Sequence, residues 1–260
     1  MFRFLLCSVV FAISLFAGVA PASATSAGDG YATPSFKDLI QTTAYFGGQN
    51  VMEKDAVFDE YARILYCDLY QKLYASDFEW NKIKTKMREE IQEKKGNYRV
   101  LYDVVAPVFL DRYNFEEQAF PFLSDGEAGK NSRNVMDNIG VMEIYSGVLY
   151  SSACIAQAQD LQFFLPYYQL ILDRPLTLKQ MKVPADEAQR ALESMALEST
   201  SGDKKARVAY IRFRVRVLGA MEDPEKKKSF LRGTVEQIDF FADLEATKFI
   251  TNMPIRKKRL

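Results

Sequence analysis

The chain has 260 residues, 34 basic against 34 acidic side chains, and no histidine. Without imidazole there is no Ser-His-Asp triad, Cys-His nucleophile, His-bound zinc or His-bound haem, and three cysteines are too few for a four-thiolate metal site. A formal charge of zero offers no basic field for nucleic acid, while 48% hydrophobic and 26% charged residues describe a folded chain rather than a disordered one.

The N-terminus reads as an address. Arg3, the apolar run Phe4 to Ala17 and the small residues Ala22-Ser23-Ala24 form the pattern of a signal peptide cleaved after Ala24. The run falls short of the ~20 residues a stable membrane-spanning helix needs. A retained anchor is the alternative. Cys7 lies within the run, without the small residues that precede a lipoprotein cleavage site. The expectation is an exported chain, periplasmic or secreted, beginning at Thr25 and free of membrane spans. Two cysteines then remain, Cys67 and Cys154. In an oxidising compartment they are either a disulfide, contributing about 4 kcal/mol by closing so long a loop, or two separately buried thiols. A catalytic thiol has no histidine to activate it.

Residues 25–34 read as a flexible lead-in. A short helix is expected from Ser35 to Phe46, stopped by Gly47-Gly48. A longer one should run from about Lys54 to Tyr74, because Val57, Phe58, Tyr61, Ile64, Leu65, Tyr66, Leu69 and Leu73 cover more than half its circumference. Asp68 projects into that apolar arc, as a buried functional carboxylate, as an ion-pair partner of Lys72, or as an edge position reaching solvent. Ser76-Asp77-Phe78-Glu79 has the form of a capping box opening a helix to about Lys94. Its stripe is Trp80, Ile83, Met87 and Ile91, and its other face has the mixed signs of a solvated surface.

After Gly96 the texture becomes β. Leu101 to Leu110 is an apolar strand, and Pro107 inside it points to an edge or a bulge. Arg112-Tyr113-Asn114 turns the chain, Phe115 to Leu123 returns it, and 124–134 is a long loop. Ile139 to Ala156 fits strand and helix periods alike. Leu161 to Leu172 reads as one strand ending at Asp173-Arg174-Pro175. A helix follows near 184–197 with Pro184 in its first turn and Ala188, Ala191, Leu192 and Met195 inward; Ser199 to Asp203 is a loop.

The clearest pattern is near the C-terminus. Ile211, Phe213, Val215 and Val217 alternate with Arg212, Arg214 and Arg216, a half-buried strand. A charged turn, Glu222 to Lys228, leads to a partner strand near Gly233 to Phe241. That partner carries Glu236 and Asp239 within reach of the arginines, and its mixed phase allows a bulge.

No phosphate-binding loop, dinucleotide turn, nucleophile elbow or EF-hand loop is present. Two histidine-free chemistries survive: a carboxylate pair as in glycosidases, and a Ser-x-x-Lys arrangement, matched only by Ser201-Gly202-Asp203-Lys204 in a polar loop. For binding, Arg212, Arg214 and Arg216 stand about 7 Å apart on one face, fit to hold carboxylates or phosphates bidentately. The plainer account of the same row is cross-strand pairing with Glu236 and Asp239.

The stretches Leu65 to Trp80 (LYCDLYQKLYASDFEW), Phe109 to Phe122 (FLDRYNFEEQAFPF) and Val183 to Leu192 (VPADEAQRAL), with the arginine strand, resemble a bacterial family of exported proteins known only as a domain of unknown function. The resemblance implies one exported domain and carries no activity.

The fold class expected is therefore α+β, with N-terminal helices packed on a mainly antiparallel sheet and one additional helix near 184–197. A single domain should span 35–250, helical over about 35–95 and β-rich over about 99–250, before a basic tail at 251–260. The function expected is that of a soluble cell-envelope protein of non-enzymatic, binding or accessory type. Its partner is an envelope macromolecule, glycan or protein, and it uses no cofactor, metal or nucleic acid. The alternative is a histidine-free envelope hydrolase. An assembly subunit would instead show a large exposed apolar patch.

Overall fold

The structure, a computed structural model, describes residues 30–47, 53–94, 96–123, 138–147, 154–155, 161–199, 205–221 and 228–255. The expected signal peptide, lead-in residues 25–29, the loop 124–134, Ser201 to Lys204, the turn as far as 227 and the tail from 256 lie outside the described residues. The described residues form an α+β fold.

Helix α1 (Phe36–Tyr45) starts at Ser35, whose Oγ accepts the Asp38 amide at 3.1 Å, and buries Leu39 and Ile40. Helix α2 (Asp55–Leu65) stops at Tyr66, and α3 (Cys67–Leu73) resumes after it. The single helix expected over 54–74 is thus two. Tyr66 leaves the helical region (φ −133°, ψ 47°), with its ring 6.4 Å from Tyr61, and Cys67 is bonded to Cys154. These tertiary contacts outweigh helical continuity, and Asp68 is turned out to solvent.

Helix α4 (Asp77–Glu93) buries Trp80, Met87 and Ile91, as its stripe requires. Ser76 occupies the cap position but makes no side-chain cap bond, so the capping box is not formed. The helix is clamped to α2 by polar contacts. Trp80 Nε1 donates to Asp59 at 2.8 Å, while Lys84 Nζ and Arg88 Nη2 both reach Asp55 at 2.6 Å. The hydrogen bonds from Lys84 and Arg88 hold the Asp55 carboxyl below the ordinary aspartate value. A lowered folded-state value means stability that is present above the ordinary value and lost as the pH falls through the folded one. Asp55 is well exposed, so the clamp contributes less than about 1 kcal/mol. Urea midpoints at about pH 7 and about pH 3 check this: the Asp55→Asn protein should show a smaller acid-induced drop than the parent.

The main sheet runs β1 (Leu101–Leu110), β7 (Lys205–Met221), β8 (Ser229–Phe241), β4 (Tyr167–Leu176) and β3 (Ile139–Ser146). Strand β6 (Ala196–Ser199) adds to β7, and β9 (Phe249–Met253) adds to β8. All pairings are antiparallel except β4 with β8. A separate ribbon pairs β2 (Ala119–Pro121) with β5 (Gln180–Lys182). Helix α5 (Ala185–Ser194) covers part of the expected 184–197, since the chain is already extended at Met195 and pairs as β6 from Ala196. Residues 251–253, assigned to the tail from sequence, belong to β9.

The edges are blunted. Pro107 lies on β1, which has β7 on one side and, among the described residues, isolated bridges from Tyr102 to Ala32 and from Leu110 to Phe122 on the other. Strand β3, at the opposite edge, carries two register shifts. The expected strand over 161–172 begins only at Tyr167, because Gln162, Phe163 and Phe164 direct their amides to the Glu60 carboxylate at 2.7, 2.8 and 2.7 Å.

Helix α1 lies on the inner face of the sheet. Phe36 stacks on Tyr145 at 5.9 Å and meets Tyr168 edge-on, and the Thr42 hydroxyl lies 2.6 Å from the Tyr102 hydroxyl. Ile211, Phe213, Val215 and Val217 of β7 join that core, which leaves the arginines on the opposite face. Gly233 sets the approach of β8 to β7: a Cβ there would fall 2.4 Å from the Arg216 carbonyl oxygen.

Candidate functional site

Strand register assembles the arginine face. Arg212 lies opposite Val105 and Asp239, and Arg214 opposite Asp103 and Gln237. The register then slips so that Glu236 has no partner residue on β7, and Arg216 lies opposite Thr234. This bulge explains the mixed phase of β8. Ser229, Leu231 and Val235 are buried before it, Ile238 and Phe240 after it, so the inward parity changes at the slip.

Each arginine is held. Arg212 donates from Nη2 to Asp239 Oδ2 at 2.7 Å and from Nε at 3.2 Å, and its Nη1 lies 3.8 Å from Asp103. Its guanidinium also covers the Phe241 ring at 4.7 Å. Arg214 Nε is 3.5 Å from Asp103, with its guanidinium 5.1 Å from the Tyr31 ring centre. Arg216 forks onto Glu236 at 2.7 and 3.3 Å. Gln237 Nε2 donates to the second oxygen of Asp239 at 2.7 Å. Three cations thus meet three carboxylates, with Tyr31 linking the Arg216–Glu236 pair to the others. Burial is deep at one end, where the Asp239 and Arg212 side chains are 2% and 15% exposed, and shallow at the other, where Arg216 is 41% exposed.

The end of the lead-in seals this face. The Asp103 amide donates to the Ala32 carbonyl at 2.9 Å, and the Tyr31 hydroxyl donates to Glu236. Burial first, and then the bond to Glu236, push the Tyr31 phenol up to about 12, so it stays protonated at neutral pH.

An anion entering the row must displace a resident carboxylate already bonded to a guanidinium. Asp239→Asn keeps the shape and removes the charge that holds Arg212. It should cost about 2 kcal/mol, read as a lowered urea midpoint with unchanged slope.

Cys67 and Cys154 form a disulfide, with S–S 2.09 Å and Cα–Cα 5.7 Å, tying the start of α3 to the chain beyond β3. Among the described residues no three metal-ligating side chains come together, and no helix is long and apolar enough to cross a membrane.

A cleft of about 400 Å³ lies between α5 and the β8–β9 turn, walled by Glu187, Arg190, Ser194, Lys248, Phe249 and Ile250. The turn beside it is braced by Asp243, whose carboxylate accepts the Thr247 hydroxyl and the amides of Thr247 and Lys248. Burial would raise the Asp243 carboxyl, but these bonds outweigh it and hold it below the ordinary value. A second depression is lined by Thr85, Arg88, Glu89, Gln92 and Glu93, all on α4. Glu89 and Glu93 stand one turn apart there, and among the described residues no other element contributes an opposing wall.

Sequence reasoning named Arg212, Arg214, Arg216, Glu236 and Asp239, and the register brings all five together. It missed Asp103, Tyr31 and Glu60. The signal for Asp103 was a lone acid between Tyr102 and Val104 in an apolar strand; for Glu60, an acid at the edge of the apolar arc of α2. The cleft residues had no signal, since Arg190 and Lys248 are far apart in sequence and ordinary in their local contexts.

Fold and site together define an α+β protein with a cystine, a neutralised arginine face and a charged cleft. The chain belongs to the family described as Domain of unknown function (DUF4852), whose model matches residues 53–192, just over half its length. That match takes in α2 to α4, β1 to β5 and α5 as far as Leu192, including Leu65 to Trp80, Phe109 to Phe122 and Val183 to Leu192, and stops before the arginine strand. No curated protein matches the chain, and no solved structure does.

Proposed function

We propose that this chain is an exported, soluble cell-envelope protein that acts by binding a macromolecular or glycan partner. The observation that carries the binding reading is the disposition of the acidic side chains. Asp103, Glu236 and Asp239, which the fold gathers, are each committed to a guanidinium, and among the described residues Glu187 is the one carboxylate walling the α5–β9 cleft. A glycosidase-type mechanism needs two carboxyl groups about 5–10 Å apart across a cleft, one free to give a proton. Export is supported by the signal-like N-terminus and by the Cys67–Cys154 bond, which persists in oxidising compartments.

The test is thermal unfolding of residues 25–260 against divalent metals, peptidoglycan fragments, anionic polysaccharides and phospholipid headgroups. A ligand at 100 times its Kd adds about 2.7 kcal/mol, a midpoint rise of several degrees. A rise with one class is expected. No rise with any, together with turnover of a glycan that is lost on replacing a carboxylate, would establish the hydrolase instead.

A further inference from the structure

We propose that the cleft between α5 and β9 is a binding site for acidic sugar residues, specifically the uronate units of an anionic glycan. The inference rests on the binding function proposed above and assigns it a site and a ligand class. The arginine face is spent on internal pairs, so the cationic donors left for a ligand lie elsewhere. Arg190 projects from α5 with its side chain 73% exposed, and its contact to Asp186 is a loose 4.0 Å. Lys248, exposed across the cleft, makes no salt bridge among the described residues, though it lies close enough to Asp243 to help hold that carboxyl down. These two cations come from different elements and wall one cavity. A guanidinium forks onto a carboxylate while an ammonium adds a point charge beside it.

The rest of the cleft selects what carries the carboxylate. Phe249 is 57% exposed, and its ring is fixed edge-on by Phe241 at 5.8 Å. The Asp243 brace pre-organises the turn that leads into it. A rigid exposed aromatic face attracts the weakly positive C–H face of a sugar ring, because the ring quadrupole is negative there. Glu187 and Ser194 lie three residues before and four after Arg190, on the same side of α5, and offer an acceptor and a hydroxyl for sugar hydroxyls. A volume of about 400 Å³ is near the lower end for small-ligand sites and fits one or two sugar rings.

The experiment is calorimetric titration of the mature chain with a galacturonate trimer, its neutral galactose counterpart, and vesicles rich in phosphatidylglycerol. Saturable binding of the uronate trimer is expected, with the neutral trimer at least tenfold weaker. Arg190→Glu and Phe249→Ala should each weaken uronate binding at least tenfold, while Lys82→Glu on the exposed face of α4 leaves it unchanged. All three residues are exposed, and unchanged far-ultraviolet circular dichroism and thermal midpoints verify that the variants fold. Absence of uronate binding, binding insensitive to both cleft variants, or binding of vesicles alone would overturn the assignment. If another ligand of the thermal panel binds while uronate does not, the binding function stands and only this site assignment falls.

Discussion

Replacing Glu60 with alanine is expected to lower the unfolding free energy by about 4 kcal/mol, since each buried amide stripped of its acceptor costs about 1–3 kcal/mol. Glu60 is 6% exposed on α2, and it accepts three successive amides of a segment about a hundred residues further on. Two go to one carboxylate oxygen and one to the other, so the side chain serves as the terminus of a loop that has no strand partner there. Alanine leaves those amides without an acceptor and opens a space between α2 and the approach to β4. The thermal midpoint should fall by about 10 °C at ~2–4 °C per kcal/mol for a chain of this size. Glu60→Gln is the diagnostic companion. It retains one acceptor oxygen for Phe163 and Phe164 and turns an amide donor toward the Gln162 N–H, so its cost should be near half that of alanine. Equal costs would mean that space-filling, rather than the hydrogen bonds, is what the residue supplies.

The second large effect is expected from the cystine. Cys67 and Cys154 are 87 positions apart, and cross-linking a loop of that length removes about 4–5 kcal/mol of chain entropy from the unfolded state. The double variant Cys67→Ser/Cys154→Ser should lose most of that amount, and reductant should bring the parent to the same urea midpoint while leaving the variant unmoved. A reductant effect on the variant would place the sensitivity somewhere other than this bond. A loss well below 1 kcal/mol would mean that the unfolded chain is already compact around these residues.

How much of this was legible in the sequence depends on the range of the forces involved. Period-two alternation around Arg212, Arg214 and Arg216 reports one buried face directly, so β7 and the side its arginines occupy were readable. Leu101 to Leu110 was readable to the residue, and of the edge or bulge that Pro107 allowed, β1 lies at the end of the strand order. The break at Tyr66 was not, because the apolar arc continues through 64, 65, 66, 69 and 73 whether or not the helix does. The late start of β4 was hidden for a different reason. Its cause is Glu60, remote in sequence, and no local propensity of Gln162 to Phe164 records it. Asp103 entered the site only through the register of β1 on β7, and the α5–β9 cleft only through the packing of a helix on a turn. Local periodicity thus yielded β1 and the arginine strand β7, while pairing and long-range capture decided which charges meet.

The most direct test of the central claim, an exported binding protein held by a cystine, is the intact mass of the protein recovered from the cell envelope, before and after reduction. A chain beginning at Thr25 that gains two hydrogens on reduction is expected, with the Cys67 and Cys154 peptides linked beforehand. A chain retaining Met1, recovered from the cytoplasm with both thiols free to alkylate, would contradict it.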